Sequence, residues 1–367
     1  MKLRPYQSEA VDAIYAAWQT HQSTLAVLPT GTGKTIMFAH VIKQLPFGRT
    51  LLLAHREELI WQGSNKIEAV TGTRPDIEMA EFQADRRMWG QSKVVVSSIQ
   101  TQVAGNEGKG RMKLFDPEQF ALVIVDEAHH CTAVSYRKVL EHYKQNPKIK
   151  ILGVTATPDR ADEKALGEIF ESVAYNYELM EAIADGWLVP ITNRLMVIQG
   201  LDYSKIRTTA GDLNGADLAQ QMLYETPLHK ITDGTLKMIG DRRTLVFAAS
   251  VAHAERMSEI FNRPENKPGS SRWVCGETPK DQRRQMIADY AAGKFQILCN
   301  VGVATEGFQA LRSHLIEKGV EDLGMRFLRG VGLAVRKGRS VILIASTAGR
   351  GQEIVDPLRH RVDIVVL

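Results

Sequence analysis

The sequence predicts an α/β protein of two tandem domains, each built on a parallel sheet. Three observations carry that expectation. Short apolar runs alternate with stretches of helical periodicity along residues 7–154, and again along 244–299. A glycine-rich turn at 28–35 joins one apolar run to one helical pattern. At 367 residues the chain exceeds one ordinary core and suits two.

The elements follow in order. In a first domain at 1–188, strands are expected at 24–28, 50–54, 93–97, 120–125 and 150–154. Helical patterns lie between them at 7–19, 34–45 and 56–69. The run at 120–125, Phe-Ala-Leu-Val-Ile-Val, is apolar throughout, which suits a strand covered on both faces. Residues 103–118 read as a surface loop, and 189–230, with mixed polarity and several glycines, as a crossover. A second domain at 231–367 should run strand 244–249, helix 251–262, strand 272–275, helix 279–292 and strand 295–299. Apolar runs at 341–345 and 364–367 can add strands to it.

Composition narrows the class. Apolar residues make up 44% and charged residues 24%, a globular balance. No apolar run approaches the roughly 18 residues a membrane helix needs, so no membrane contact is expected. The opening Met-Lys-Leu-Arg-Pro has no apolar stretch of signal-peptide type. Cys131, Cys275 and Cys299 are scattered, which suits reduced packing thiols in a cytoplasmic protein. The histidines show no metal spacing; His129 and His130 are adjacent and should point different ways.

The turn at 28–35 reads Leu-Pro-Thr-Gly-Thr-Gly-Lys-Thr. Gly31 and Gly33 let backbone N–H groups converge on phosphate oxygens, and the following helix start adds partial positive charge. Thr30, Thr32 and the two glycines would form the cradle. Lys34 can reach the outer phosphates of a nucleotide, and the Thr35 hydroxyl can ligate Mg²⁺. The strict pattern asks for Gly at position 28, where this chain has Leu28. The plainer alternative is a strand–helix turn with a solvated lysine.

Asp126 and Glu127 follow the apolar run at 120–125, at the strand end where α/β sheets bind ligands. Asp126 can hold Mg²⁺, and Glu127 can take a proton from the water that attacks a γ-phosphate. Together the two segments indicate an ATPase that uses Mg²⁺; a surface acidic pair is the alternative.

At these residues the chain resembles superfamily 2 helicases of the DEAH-box group, near type III restriction subunits and phage helicases. The resemblance runs from residue 3 to about 308, with the motifs in family order. Leu-Arg-Pro-Tyr-Gln at 3–7 resembles the adenine-recognition motif, which implies nucleotide contacts from Arg4 and Gln7. The strings at 53–62 and 96–101 resemble motifs Ia and Ib. Those at 154–158, 245–250 and 300–308 resemble motifs III, IV and V. The family implies two RecA-like domains, with ATP in the cleft between them. It implies His129, Thr155 and Thr157 in coupling, and phosphate contacts on nucleic acid from Arg56, Ser98, Thr101, Ser250 and Thr305. Such contacts grip without reading sequence. Each of these hydroxyls could equally form a local cap or turn hydrogen bond. Arg56 could equally be a solvated helix residue or a partner of Glu57 or Glu58.

The tail departs from the family. Gln309 stands where motif V ends in Asp, and no stretch after it fits motif VI, which supplies the arginine finger. Arg336 and Arg339 are the candidates. Residues 310–367 carry 10 basic and 6 acidic residues, while the rest of the chain balances at 36 and 36. The second domain is therefore expected to be atypical or incomplete at its C-terminus, through a changed reading frame near 309 or replaced strands. The functional expectation is an ATP-dependent helicase or translocase on nucleic acid, DNA by resemblance, in a bacterial or phage-infected cell. Two alternatives stand: a translocating subunit of a restriction-type complex, or a nucleotide- and nucleic-acid-binding module with impaired hydrolysis. Restriction or replication complexes are the partners the resemblance implies.

Overall fold

The computed structural model describes residues 1–86, 92–105, 110–156, 166–188 and 223–301, with shorter pieces at 191–195, 207–209, 212–213, 217, 220, 343–347 and 362–366. The chain divides into two compact units, Met1–Ala182 and Ile183–Leu367.

The first unit opens with α1 (Pro5–Ala17), β1 (Ser23–Val27), α2 (Lys34–Gln44), β2 (Arg49–Ala54) and α3 (Glu57–Thr71). It continues through β3 (Asp76–Glu78), β4 (Val94–Ser98), α4 (Ile99–Val103), β5 (Phe120–Asp126) and α5 (Val134–Tyr143). It ends with β6 (Lys150–Thr155) and β7 (Ser172–Asn176), and α6 (Leu179–Ala184) spans the boundary at Ala182. The seven strands form one sheet in the order β3-β4-β2-β5-β6-β1-β7. Every pairing is parallel, so all carboxyl ends lie on one edge. Leu51, Leu53, Val123 and Ile151 are fully buried in the core. Each such side chain contributes about 1.5–3 kcal/mol.

Local chemistry sets the ends. Pro5 opens α1, where a missing N–H costs nothing, and the Gln7 side chain reaches back to the Arg4 backbone N–H (2.9 Å). α3 stops at Gly72, whose φ of 76° is the left-handed cap glycine permits. Gly153 of β6 lies against the Phe170 ring, and a Cβ there would also sit 2.8 Å from Leu25 Cδ1.

Residues 103–118 are not simply a surface loop. Short 3₁₀ turns occupy Arg111–Leu114 and Pro117–Gln119, and Phe115 between them is buried edge-on against Phe120. The polar composition concealed that apolar anchor, beside which Val103 and Met112 also pack against the core.

The second unit carries β8 (Ile191–Leu195), the two-residue strands β9 (Thr208–Thr209) and β10 (Asp212–Leu213), and α7 (Glu225–Ile239). Then come β11 (Arg243–Phe247), α8 (Val251–Phe261), β12 (Ser271–Cys275), α9 (Lys280–Ala291), β13 (Ile297–Val301), β14 (Leu343–Thr347) and β15 (Val362–Val366). Its six-stranded sheet has the order β12-β13-β11-β14-β15-β8. β12, β13 and β11 are parallel, but β14 runs antiparallel to both β11 and β15. The sheet is thus mixed, and its unusual strands come from the segment where the sequence leaves the family. β8, within the expected crossover, pairs parallel with β15. Val246, Met257, Phe261 and Ile297 are among its core.

Candidate functional site

The site sits on the carboxyl edge of the first sheet. β1 delivers the glycine turn, and β5 delivers the carboxylates. β6 lies between them, its register pairing Val27 with Thr155 and Asp126 with Val154. The Leu28 N–H donates to the Thr155 carbonyl at 3.0 Å, so the start of the turn is fixed to the end of β6.

Gly31 and Gly33 have φ of 91° and 81°, the left-handed region where a side chain would strain the loop. Lys34 then starts α2. Lys34 Nζ stands 3.4 Å from Glu127 Oε1 and donates to Thr30 Oγ1 at 3.4 Å. The glycine turn and the Asp126–Glu127 pair therefore face one another; Thr35 follows Lys34 and Asp126 precedes Glu127 in sequence. One hydroxyl and one carboxylate are hard oxygen donors that fit Mg²⁺, which keeps waters and takes further oxygens from a phosphate chain. Among the described residues no group of three His, Cys, Asp or Glu could hold a metal alone.

Glu127 has φ of 53° and ψ of 54°, a left-handed conformation for a residue with a side chain. Such a backbone costs on the order of 1–3 kcal/mol. It turns the chain off β5 into a 3₁₀ turn, Ala128–Thr132. His129 Nδ1 lies 3.2 Å from Thr155 Oγ1 and 3.5 Å from Glu127 Oε2. The expectation that His129 and His130 point apart is corrected. Their ring centroids are 4.2 Å apart with the planes tilted by 44°.

Arg4 and Gln7 stand at the start of α1. Gln7 Nε2 donates to the Thr32 carbonyl at 2.7 Å, and the Tyr6 hydroxyl donates to the same oxygen at 2.7 Å. Burial pushes the Tyr6 hydroxyl up from its ordinary value, which keeps it a donor. Tyr6 stacks on Tyr177 with centroids 4.7 Å apart. Thr32 itself donates to the Pro29 carbonyl (2.5 Å).

The residues expected on nucleic acid occupy separate positions. Arg56 is at the N-cap of α3. Ser98 caps α4, accepting from the Thr101 N–H (3.1 Å), and its hydroxyl donates to Thr101 Oγ1 (2.7 Å). Thr101 Oγ1 also accepts from the Ala80 N–H at 3.3 Å. Ser250 caps α8, accepting from the His253 N–H at 3.2 Å. These three hydroxyls thus make the local bonds that the sequence left open as an alternative. Thr157, Thr305, Arg336 and Arg339 lie outside the described residues. Tyr177 and the contact of His130 with His55 were not foreseen; no local pattern connects residues so distant in sequence.

Residues 1–160 match the family described as type III restriction enzyme, res subunit. Over that stretch the chain is similar to the type III restriction res subunits. It is similar to a Saccharomyces cerevisiae protein named as an ATP-dependent helicase, IRC3, with 30% identity over 83% of this chain and 45% of the relative. A Schizosaccharomyces pombe protein named as a mitochondrial ATP-dependent helicase, irc3, is 32% identical over 84% of this chain and 50% of its own length. The chain thus spans about half the length of the curated relatives it matches. In fold it is similar to a structure titled as the ATP-dependent type ISP restriction-modification enzyme LlaBIII bound to DNA. The TM-score is 0.61, the identity 16%, and 83% of this chain and 25% of that one are covered. Among the described residues no helix is long and apolar enough to cross a membrane.

Proposed function

We propose that this chain couples hydrolysis of Mg²⁺-bound ATP to movement on nucleic acid, with DNA as its track. The observation that carries the reading is the 3.4 Å approach of Lys34 to Glu127 across the carboxyl edge of the sheet. A lysine and a glutamate so placed can exchange one another for a phosphate and a water.

In this reading Arg4 and Gln7 flank the adenine, and the loop from Thr30 to Thr35 receives the phosphates. Lys34 leaves Glu127 for the β- and γ-phosphate oxygens. Thr35 and Asp126 hold Mg²⁺, which supplies positive charge to the phosphate chain when bound. Glu127, released, takes a proton from water as its oxygen attacks the γ-phosphorus, and the bond to ADP breaks in line. His129, Thr155 and Thr157 carry the change onward. Arg56, Ser98, Thr101, Ser250 and Thr305 grip backbone phosphates with little sequence preference and marked salt dependence.

The test is nucleic-acid-stimulated ATPase activity of the wild type beside Lys34→Ala, Glu127→Gln and Arg336→Ala. Glu127→Gln should retain ATP binding while turnover falls by about 10²–10⁴. An arginine finger contributes about 10³–10⁵, so an unchanged rate in Arg336→Ala removes that residue from the role. A wild type no faster than Glu127→Gln refutes the motor and leaves a binding module.

The res-subunit match over residues 1–160 favours a second reading, a translocating subunit that moves on duplex DNA without unwinding it. Displacing a third strand from a triplex without separating a duplex would select it. Restriction or replication complexes are the proposed partners. The proposed setting is a bacterial or phage-infected cytoplasm, against which the mitochondrial name of one relative counts.

A further inference from the structure

The two segments expected to meet nucleic acid in the first unit, at the starts of α3 and α4, lie on the same sheet edge as Glu127. Parallel pairing explains why. β2 and β5 are neighbours with Leu53 opposite Val125, so the residue two beyond each, His55 and Glu127, leave the sheet side by side. From Glu127 a continuous line of contacts crosses to β2. Glu127 Oε2 is 3.5 Å from His129 Nδ1. The His129 and His130 rings are 4.2 Å apart, and the His130 and His55 rings 4.4 Å apart, meeting at 62°. The His55 carbonyl then accepts from Gln100 Nε2 of α4 at 3.1 Å, while the next residue, Arg56, caps α3.

The geometry points to His130 and His55 as positioning residues: a file of touching imidazole rings that links the state of Glu127 to the starts of α3 and α4. This rests on the proposed ATP-driven activity. When a phosphate claims Lys34, Glu127 changes partners, and the His129 ring, which contacts both Glu127 and Thr155, shifts with it. A shift of the His129 ring must displace His130, because rings in van der Waals contact cannot interpenetrate and close-packed groups move together. His130 then presses on His55, whose main chain is tied to Gln100 and runs directly into Arg56. The relay works in both directions, since coupling between two binding sites is reciprocal. Contact alone does not establish coupling, so the test measures coupling itself.

Nucleic-acid stimulation is the ratio of ATPase rates with and without single-stranded DNA, read in wild type, His130→Ala, His55→Ala, the double variant and the ring-retaining His130→Phe. His130→Ala and His55→Ala should each lower that ratio by about 5–10-fold, the lower end of ordinary coupling between linked sites. The double variant should fall no further than the lower single, because both act through one contact. His130→Phe should recover most of the ratio, and the tightening of DNA binding by a non-hydrolysable ATP analogue should also shrink in the Ala variants. Should His130→Ala unfold, His55→Ala and His55→Phe read the relay from its other end. An unchanged ratio in the Ala variants, or losses that multiply in the double variant, overturns the relay and leaves the ATPase reading intact. A wild type that DNA does not stimulate overturns both.

Discussion

Glu78, at the end of β3, is fully buried and accepts three strong hydrogen bonds. Arg86 Nη2 donates to Oε2 at 2.8 Å, Arg111 Nη1 to Oε1 at 2.9 Å, and the Ala84 N–H to Oε2 at 2.8 Å. The same carboxylate thereby holds a tight turn in which Met79 and Phe82 exchange backbone hydrogen bonds and Ala80 has φ of 50°. Glu78→Gln keeps the shape but removes the charge, and its amide nitrogen meets a donor. Breaking a buried ion pair costs about 3–5 kcal/mol. Arg86 and Arg111 are 27% and 26% exposed and can turn partly to water, which lowers the expected loss to about 2–3 kcal/mol. For a unit of this size that is a fall in Tm of about 4–12 °C. The assay is thermal and urea unfolding of the full chain beside Glu168→Gln, which breaks a surface pair with Arg137, 61% and 44% exposed, and should cost at most about 1 kcal/mol. If the two variants melt together, Glu78 is not the brace described.

Other outcomes are as specific. Lys34→Ala removes a partner of Glu127 and, in the proposed reading, the phosphate ligand, so ATP-analogue binding measured by fluorescence should weaken by at least about tenfold, and unchanged affinity would displace Lys34 from the site. His253 is buried, and burial lowers its pKa to about 4 from 6.5. The unfolded chain therefore binds the proton first: stability is full above pH 6.5 and falls by about 3 kcal/mol on the way to pH 4. Urea midpoints across that range should slope less steeply in His253→Asn than in the wild type, with a residual slope because burial also lowers the pKa of His142. Gly153→Ala should lose about 1–3 kcal/mol by overpacking against Phe170 and Leu25; unaltered stability would show that the core yields there.

The first sheet was readable wherever a strand announced itself by continuous apolar sequence. Strands at β1, β2, β4, β5 and β6 fall within a residue or two of their expected positions. β3 and β7 escaped notice: Asp-Ile-Glu is too short and polar to signal a strand, and β7 is largely half-exposed along its length. Both are edge strands held by a neighbour's free hydrogen bonds, a property of the assembled sheet and not of their own residues. The tail runs at 341–345 and 364–367 correspond to β14 and β15, yet nothing in them discloses that β14 runs antiparallel. In the site, Lys34 and Glu127 were legible because each ends a local pattern. The His130–His55 contact depends on which strands are neighbours, and no spacing encodes that.

The double hold of Tyr6 and Gln7 on one carbonyl of the glycine turn has a thermodynamic consequence. Fixing a residue's backbone costs about 1–2 kcal/mol of entropy, and in this protein folding has already met that cost for the turn. In the proposed reading a nucleotide would arrive at a loop already shaped, so more of its contact energy would survive as affinity. Loosening α1 would then show itself as weaker, more entropy-opposed nucleotide association, although no atom of the loop had been altered.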